Sequence, residues 1–217
     1  MWKEAGSTPS ANPDAEWGPA RAILAPPPRG GSFWRGGGYN WRRGVSVEKR
    51  CEPIELILAD VDGVLTDGRV VINNQGVETK EFHIRDGMGI RLWQRAGYRF
   101  GLVTSRSSQV VKMRAAELEI SLVRQGASDK LATVLEILRE LELAPVQACY
   151  IGDDLPDLPA VRGVGLGVAV ADACAELREA AHYVTAAPGG AGAVREVVEL
   201  ILKAQGRWQD VIQPYRA

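Results

Sequence analysis

Three short apolar runs, far apart in the chain, each end on residues able to do chemistry. IELILAD (54–60) ends on an acid, YRFGLVT (98–104) on a hydroxyl and ACYIGDD (148–154) on a pair of acids. VGLGVAV (164–170) and HYVT (182–185) read as two more strands. Between them, residues 88–96, 107–118, 130–142, 173–181 and 193–204 read as helices. In 130–142, Leu131, Val134, Leu135, Leu138 and Leu141 fall at helical spacing and form one apolar face. Continuous apolar strands alternating with amphipathic helices predict an α/β chain, a parallel sheet covered by helices on both faces. Ligands bind such a sheet at the carboxyl ends of its strands. The strand ends therefore gather Asp60, Thr104 and Asp153 at one rim.

Residues 69–84, RVVINNQGVETKEFHI, break the alternation. Two extended runs flank Asn73-Asn74-Gln75-Gly76, which predicts a projecting β-hairpin. Residues 1–50 are rich in Gly, Pro, Arg and Trp and sustain no period, so they read as a disordered or loosely packed extension. An over-extended gene start, with the protein beginning near Val45 or Val47, reads equally well. The domain is expected to span 51–205, followed by a tail, 206–217, that reaches a neighbouring site or frays. The formal net charge of −1 gives no reason to expect nucleic acid or an anionic membrane as partner. No apolar run nears the roughly 20 residues that span a bilayer. Cys51, Cys149 and Cys174 lack metal-ligand spacing and read as reduced, which suits a cytoplasmic location.

In Asp60-Val61-Asp62-Gly63, two carboxylates sit on either side of a strand end, a placement that asks for a cation beside them. A calcium loop would need Gly where Leu65 stands. A solvated turn is the bland alternative for these four residues alone. Thr104-Ser105-Arg106 opens the next helix with hydroxyls and N–H groups suited to phosphate. Lys130 begins a later helix. Gly152-Asp153-Asp154 with Asp157 supplies hard oxygens of the kind Mg²⁺ prefers. Each piece is ordinary alone; all four at strand ends point to a phosphoryl-transfer site. Gly163-Val164-Gly165-Leu166-Gly167 is a turn and strand without a nucleotide role, and His182 is a surface or core residue.

These segments resemble the haloacid dehalogenase superfamily, in its capless branch, over residues 54–205. The resemblance rests on DVDGVLTDG (60–68), HIRDGMGIR (83–91), LVTSR (102–106), QGASDK (125–130), YIGDDLPD (150–157), VAVADA (168–173) and GGAGAVREV (189–197). It departs at Ser105, where glycine is expected. The family implies a Rossmann-like sheet without a cap domain. It implies that Asp60 takes the phosphoryl group, that Asp62 moves the proton, and that Thr104 and Lys130 bind phosphoryl oxygens. Mg²⁺ is expected on the Asp60 carboxylate, the Asp62 backbone carbonyl and Asp153, with Asp154 and Asp157 orienting metal waters and Lys130.

The resemblance also implies an acidic sugar phosphate as substrate. His83, Ile84, Arg85, Asp86 and Gly87 form the expected substrate loop, with Asp62 and Lys130. Arg85, Arg91, Arg106 and Arg114 are the candidate carboxylate anchors, each equally readable as a solvated helix charge. The implied substrate is 3-deoxy-D-manno-octulosonate 8-phosphate, of lipopolysaccharide-sugar synthesis. A nonulosonate 9-phosphate, or a non-catalytic domain retaining the fold, are the alternatives. A homotetramer is expected, its hairpins associating so that a neighbour closes each site.

Overall fold

The computed structural model describes residues 44–216. Most of the expected N-terminal extension, residues 1–43, lies outside the described residues. Residues 47–50, assigned to it above, form a helix instead. α1 (Val47–Cys51) is capped by Ser46, whose Oγ accepts the Lys49 N–H at 3.4 Å. Arg50 is buried and donates to the Gly165 carbonyl at 3.1 Å, and Cys51 is wholly buried. Three consecutive charges, Glu48, Lys49 and Arg50, hid this short helix from a reading by periodicity.

The strands are β1 (Leu56–Ala59), β2 (Val71–Ile72), β3 (Glu78–Thr79), β4 (Arg99–Thr104), β5 (Leu122–Gln125), β6 (Ala148–Gly152), β7 (Leu166–Ala169) and β8 (Tyr183–Val184). Six form one sheet in the order β5-β4-β1-β6-β7-β8, all parallel. Ala59 pairs with Leu102 on one side and Ile151 on the other, which levels the ends of β1, β4 and β6. Asp60, Thr104 and Asp153 accordingly emerge along one rim, as expected. Every residue of β1 is buried, each large aliphatic side chain contributing roughly 2 kcal/mol. β5 escaped the sequence reading because it is an edge strand with only two apolar residues, Leu122 and Val123.

Among the helices, α2 (Ile84–Arg95) packs on α7 (Ala193–Ala204) and α8 (Trp208–Ile212), and α1 packs on α7. α3 (Gln109–Glu117) follows β4. α4 (Lys130–Glu140), α5 (Leu158–Gly163) and α6 (Ala175–Ala180) pack successively on one another. α2 starts four residues earlier than its apolar pattern, because Gly87 and Gly89 dilute the signal there. Both are close approaches: a Cβ on Gly87 would lie 2.6 Å from Arg114 Nη2, and one on Gly89 would lie 3.0 Å from Arg195 Cα. α4 is turned relative to its expected face. Lys130, Val134, Ile137 and Leu138 are buried, whereas Leu135 is 37% exposed. Burying Lys130 sets that rotation.

β2 and β3 pair antiparallel, Val71 with Thr79 and Ile72 with Glu78. Asn73 closes the turn, its Oδ1 accepting the N–H groups of Gln75 and Val77 at 2.9 Å each. The tail folds back on its own chain. Arg195 and Lys203 lie 5.3 and 5.4 Å from the Trp208 ring, and Arg95 donates to the Tyr215 hydroxyl. No helix among the described residues is long and apolar enough to cross a membrane.

Candidate active site

The end of β1 places Asp60 between a backbone donor and a buried lysine. Its Oδ1 accepts the Val61 N–H at 2.7 Å, and its Oδ2 accepts from Lys130 Nζ at 2.5 Å. The same ammonium donates to Asp157 Oδ1 at 2.6 Å. Asp157 is fully buried and saturated. Its Oδ1 also accepts the Tyr150 hydroxyl at 2.7 Å, and its Oδ2 accepts the N–H groups of Asp153 and Asp154 at 3.1 and 3.4 Å. Asp157 thus orients Lys130 and shapes the loop that presents Asp153.

Carboxylate oxygens of Asp60, Asp153 and Asp157 lie within 4.8 Å of one another. Burial, then the Asp157 charge, pushes the Asp60 carboxyl up to about 6 despite Lys130. Burial, with Asp157 and Asp60 beside it, pushes Asp153 up to about 7. Such a cluster of hard oxygens is the donor set a divalent cation needs, and one cation would relieve the repulsion. With Asp157 already saturated, Asp60 and Asp153 are the side chains free to bind it. Gly63, at φ +89°, carries the chain past Asp153; a Cβ there would overlap that carboxylate.

The raised values set a pH dependence. These two carboxyls hold more protons in the folded chain than in the unfolded one between pH 3.8 and about 7. Their contribution to metal-free stability is therefore fully present below 3.8 and is lost as pH rises through about 6 and 7. Cation binding expels those protons, so Mg²⁺ is expected to bind on the order of tenfold or more weakly at pH 5.5 than at pH 8. Calorimetric titration at both values checks this; equal affinities would contradict it.

Asp62 has partners different from those of Asp60. Lys80 Nζ donates to its Oδ1, and Arg106 Nε lies 3.7 Å from its Oδ2. Glu78 Oε1 accepts from Arg106 Nη2 at 2.8 Å, and its Oε2 from Ser108 Oγ at 2.5 Å. Glu78, Lys80 and Tyr150 went unread in the sequence. A hairpin expected to project gave no reason to bring the first two inward, and Tyr150 looks like any apolar strand residue. Thr104 is buried at the end of β4. Ser105 needs no glycine: the described non-glycine residues with positive φ are Glu119 and Glu142. Its hydroxyl donates to the Ala127 carbonyl at 3.0 Å.

The expected substrate loop divides by role. Asp86 is buried and caps α7, accepting the N–H groups of Gly192 at 3.1 Å and Arg195 at 2.8 Å. The RDG and GGAGAVRE segments are thereby joined, each Asp86 oxygen accepting a backbone N–H of the other segment. His83 Nδ1 lies 3.8 Å from Asp86 Oδ2. Ile84 is strongly exposed. Arg85 is exposed and has no ion-pair partner among the described residues; with Arg195 it lines a cavity of about 530 Å³. Arg91 is spent on the Glu117 carbonyl at 2.6 Å and Glu119 at 3.3 Å. Arg114 lies against Gly87 and over the Phe82 ring, and pairs with Glu117 at 2.8 Å. Arg106 is half-exposed beside Asp62. His182 is structural, its Nδ1 accepting the Gly167 N–H at 2.9 Å.

Residues 121–196 match the family model of haloacid dehalogenase-like hydrolases. A 3-deoxy-D-manno-octulosonate 8-phosphate phosphatase of Yersinia pestis is 47% identical over 161 residues, 74% of this chain and 86% of that protein. The crystal structure of the corresponding Moraxella catarrhalis phosphatase, in complex with magnesium, phosphate and KDO, superposes with a TM-score of 0.76. It is 42% identical and covers 77% of this chain and 97% of its own. A cobalt-bound Haemophilus influenzae phosphatase of the same description gives 0.73 at 36% identity, covering 77% and 99%. The chain belongs to the haloacid dehalogenase-like hydrolases, in the phosphatase family of these relatives.

Proposed function

We propose that the protein is a Mg²⁺-dependent phosphatase that hydrolyses 3-deoxy-D-manno-octulosonate 8-phosphate to the free sugar acid and phosphate, within lipopolysaccharide-sugar synthesis. The observation that carries this reading is Asp60, held by Lys130 on one oxygen and facing Asp153, in a chain similar along most of its domain to phosphatases of that substrate. Asp60 attacks phosphorus, the bond to the sugar oxygen breaks, and Asp62 protonates that oxygen. A water then attacks the aspartyl-phosphate, Asp62 takes its proton, and phosphate leaves with Asp60 restored. Lys130 and Thr104 offset charge on the phosphoryl oxygens. The Asp60 and Asp153 carboxylates and the Asp62 backbone carbonyl would hold Mg²⁺, which would supply Lewis-acid polarisation there.

Of the four arginines, Arg85, exposed and without an ion-pair partner among the described residues, and Arg106, exposed beside Asp62 though paired with Glu78, are the candidates to anchor the sugar carboxylate. The experiment is Mg²⁺-dependent phosphate release from the eight-carbon 8-phosphate beside a nonulosonate 9-phosphate. Preference for the former is expected; a wide preference for the nine-carbon compound contradicts the assignment. Three free cysteines accord with the cytoplasm.

Among the described residues no cap domain stands over the site, and the hairpin exposes Val70, Val71, Ile72 and Val77, each more than half accessible. Such a patch marks an interface. We place the hairpins at the centre of a homotetramer in which a neighbour closes each site. Ile72→Asp is expected to dissociate it, read by light scattering, and to lower kcat/KM about tenfold. A parent protein that is monomeric contradicts this.

A further inference from the structure

The reaction proposed above uses Asp62 twice, and the structure distinguishes its two oxygens. Oδ1 is taken by Lys80 Nζ. Oδ2 is buried and accepts no hydrogen bond among the described residues, with Arg106 Nε at 3.7 Å. An orphaned buried acceptor is uncommon and costly, and catalytic sites are among the places that keep one. Lys80 follows β3 immediately. Its side chain is 1% exposed, although the hairpin residues before it, Val71, Ile72 and Val77, stand in solvent.

Lys80 Nζ faces two carboxylates, those of Asp62 and Glu78. Glu78 binds the β4–α3 segment through Arg106 and Ser108, and its Oε1 lies 3.4 Å from Lys80 Nζ. The root of the hairpin is thereby clamped beside the turn that carries Asp62. A lysine gives up strong hydration to be buried, and here it does so against two carboxylates, with Asp62 Oδ1 the nearer.

We propose that Lys80 is a positioning residue for Asp62. It fixes Oδ1 and so presents Oδ2, first to the ester oxygen of the substrate and then to the hydrolytic water. This rests on the reading of Asp62 as the proton carrier. The hairpin root, not only its tip, then belongs to the catalytic apparatus of its own chain.

The test compares kcat/KM for the sugar phosphate and for p-nitrophenyl phosphate at saturating Mg²⁺. That ratio reports steps up to departure of the leaving group, and nitrophenolate departs without needing a proton. Lys80→Met is expected to lower it about 100-fold for the sugar phosphate and less than about threefold for the aryl ester. Lys80→Arg, which keeps a donor for Oδ1, is expected to recover most of the loss. Lys80→Met added to Asp62→Asn is expected to cost nothing further. Equal losses on both substrates, full activity of Lys80→Met, or an additive double variant would each overturn the proposal. A parent inactive on both substrates overturns the phosphatase reading as well.

Discussion

Asp60→Asn is expected to lower phosphate release by about 10⁴-fold or more while leaving the fold intact. The amide keeps the shape of the carboxylate but is not a nucleophile. The Asp60 charge, which adds to burial and Asp157 in raising Asp153, is gone, and Lys130 still has Asp157 at 2.6 Å. Metal-free stability at pH 8 should therefore be unchanged or slightly higher. Turnover of the sugar phosphate and thermal unfolding, measured side by side, check both halves. A variant that kept a hundredth of the parent rate would remove Asp60 from the nucleophile's role.

Lys130→Met is the second large effect, and it strikes stability and activity together. Burial alone would pull the Lys130 proton affinity down, but Asp157 and Asp60 more than offset this and raise it. The ammonium stays charged across the physiological range, and its stabilising contribution is lost only as pH rises above 10.5. Methionine fills the same space and leaves Asp60 and Asp157 buried without their counter-charge. Breaking a buried pair in this way costs about 3–5 kcal/mol. The loss is expected to shrink at pH 5.5, because Asp60 already takes up its proton near 6. Denaturant unfolding at pH 8 and 5.5 reads the difference, and a loss equal at both would contradict the charge argument. Turnover is expected to fall about 10³-fold, since a donor to the phosphoryl oxygens is removed.

The site was legible where it follows from a rule about strand ends. Asp60, Thr104 and Asp153 close apolar runs, and a parallel sheet can only deliver them to one edge. Strong periodicity likewise gave α7 to the residue. What the sequence concealed depends on neighbours distant in the chain. Asp86 sits in a family motif and reads as a substrate residue, yet its carboxylate closes the N-terminus of α7 more than a hundred positions away. Lys80 and Glu78 occupy a stretch whose alternation suits an exposed hairpin, and nothing local marks a lysine that folding will bury. α4 showed its apolar face, but the face turned because Lys130 had to enter the core. α5, with Pro159 in its first turn, is too short for periodicity to register.

The central claim is that the Asp60 carboxylate carries the phosphoryl group between the two half-reactions. Rapid quenching during turnover, reduction of acyl phosphate with borohydride and mass spectrometry of the peptide spanning residue 60 address it directly. The expected result is conversion of Asp60, and no other carboxylate, to the corresponding alcohol, with Asp60→Asn giving none. Label found instead on Asp62 or Asp153, or phosphate released with no trappable carboxylate at all, would contradict the account.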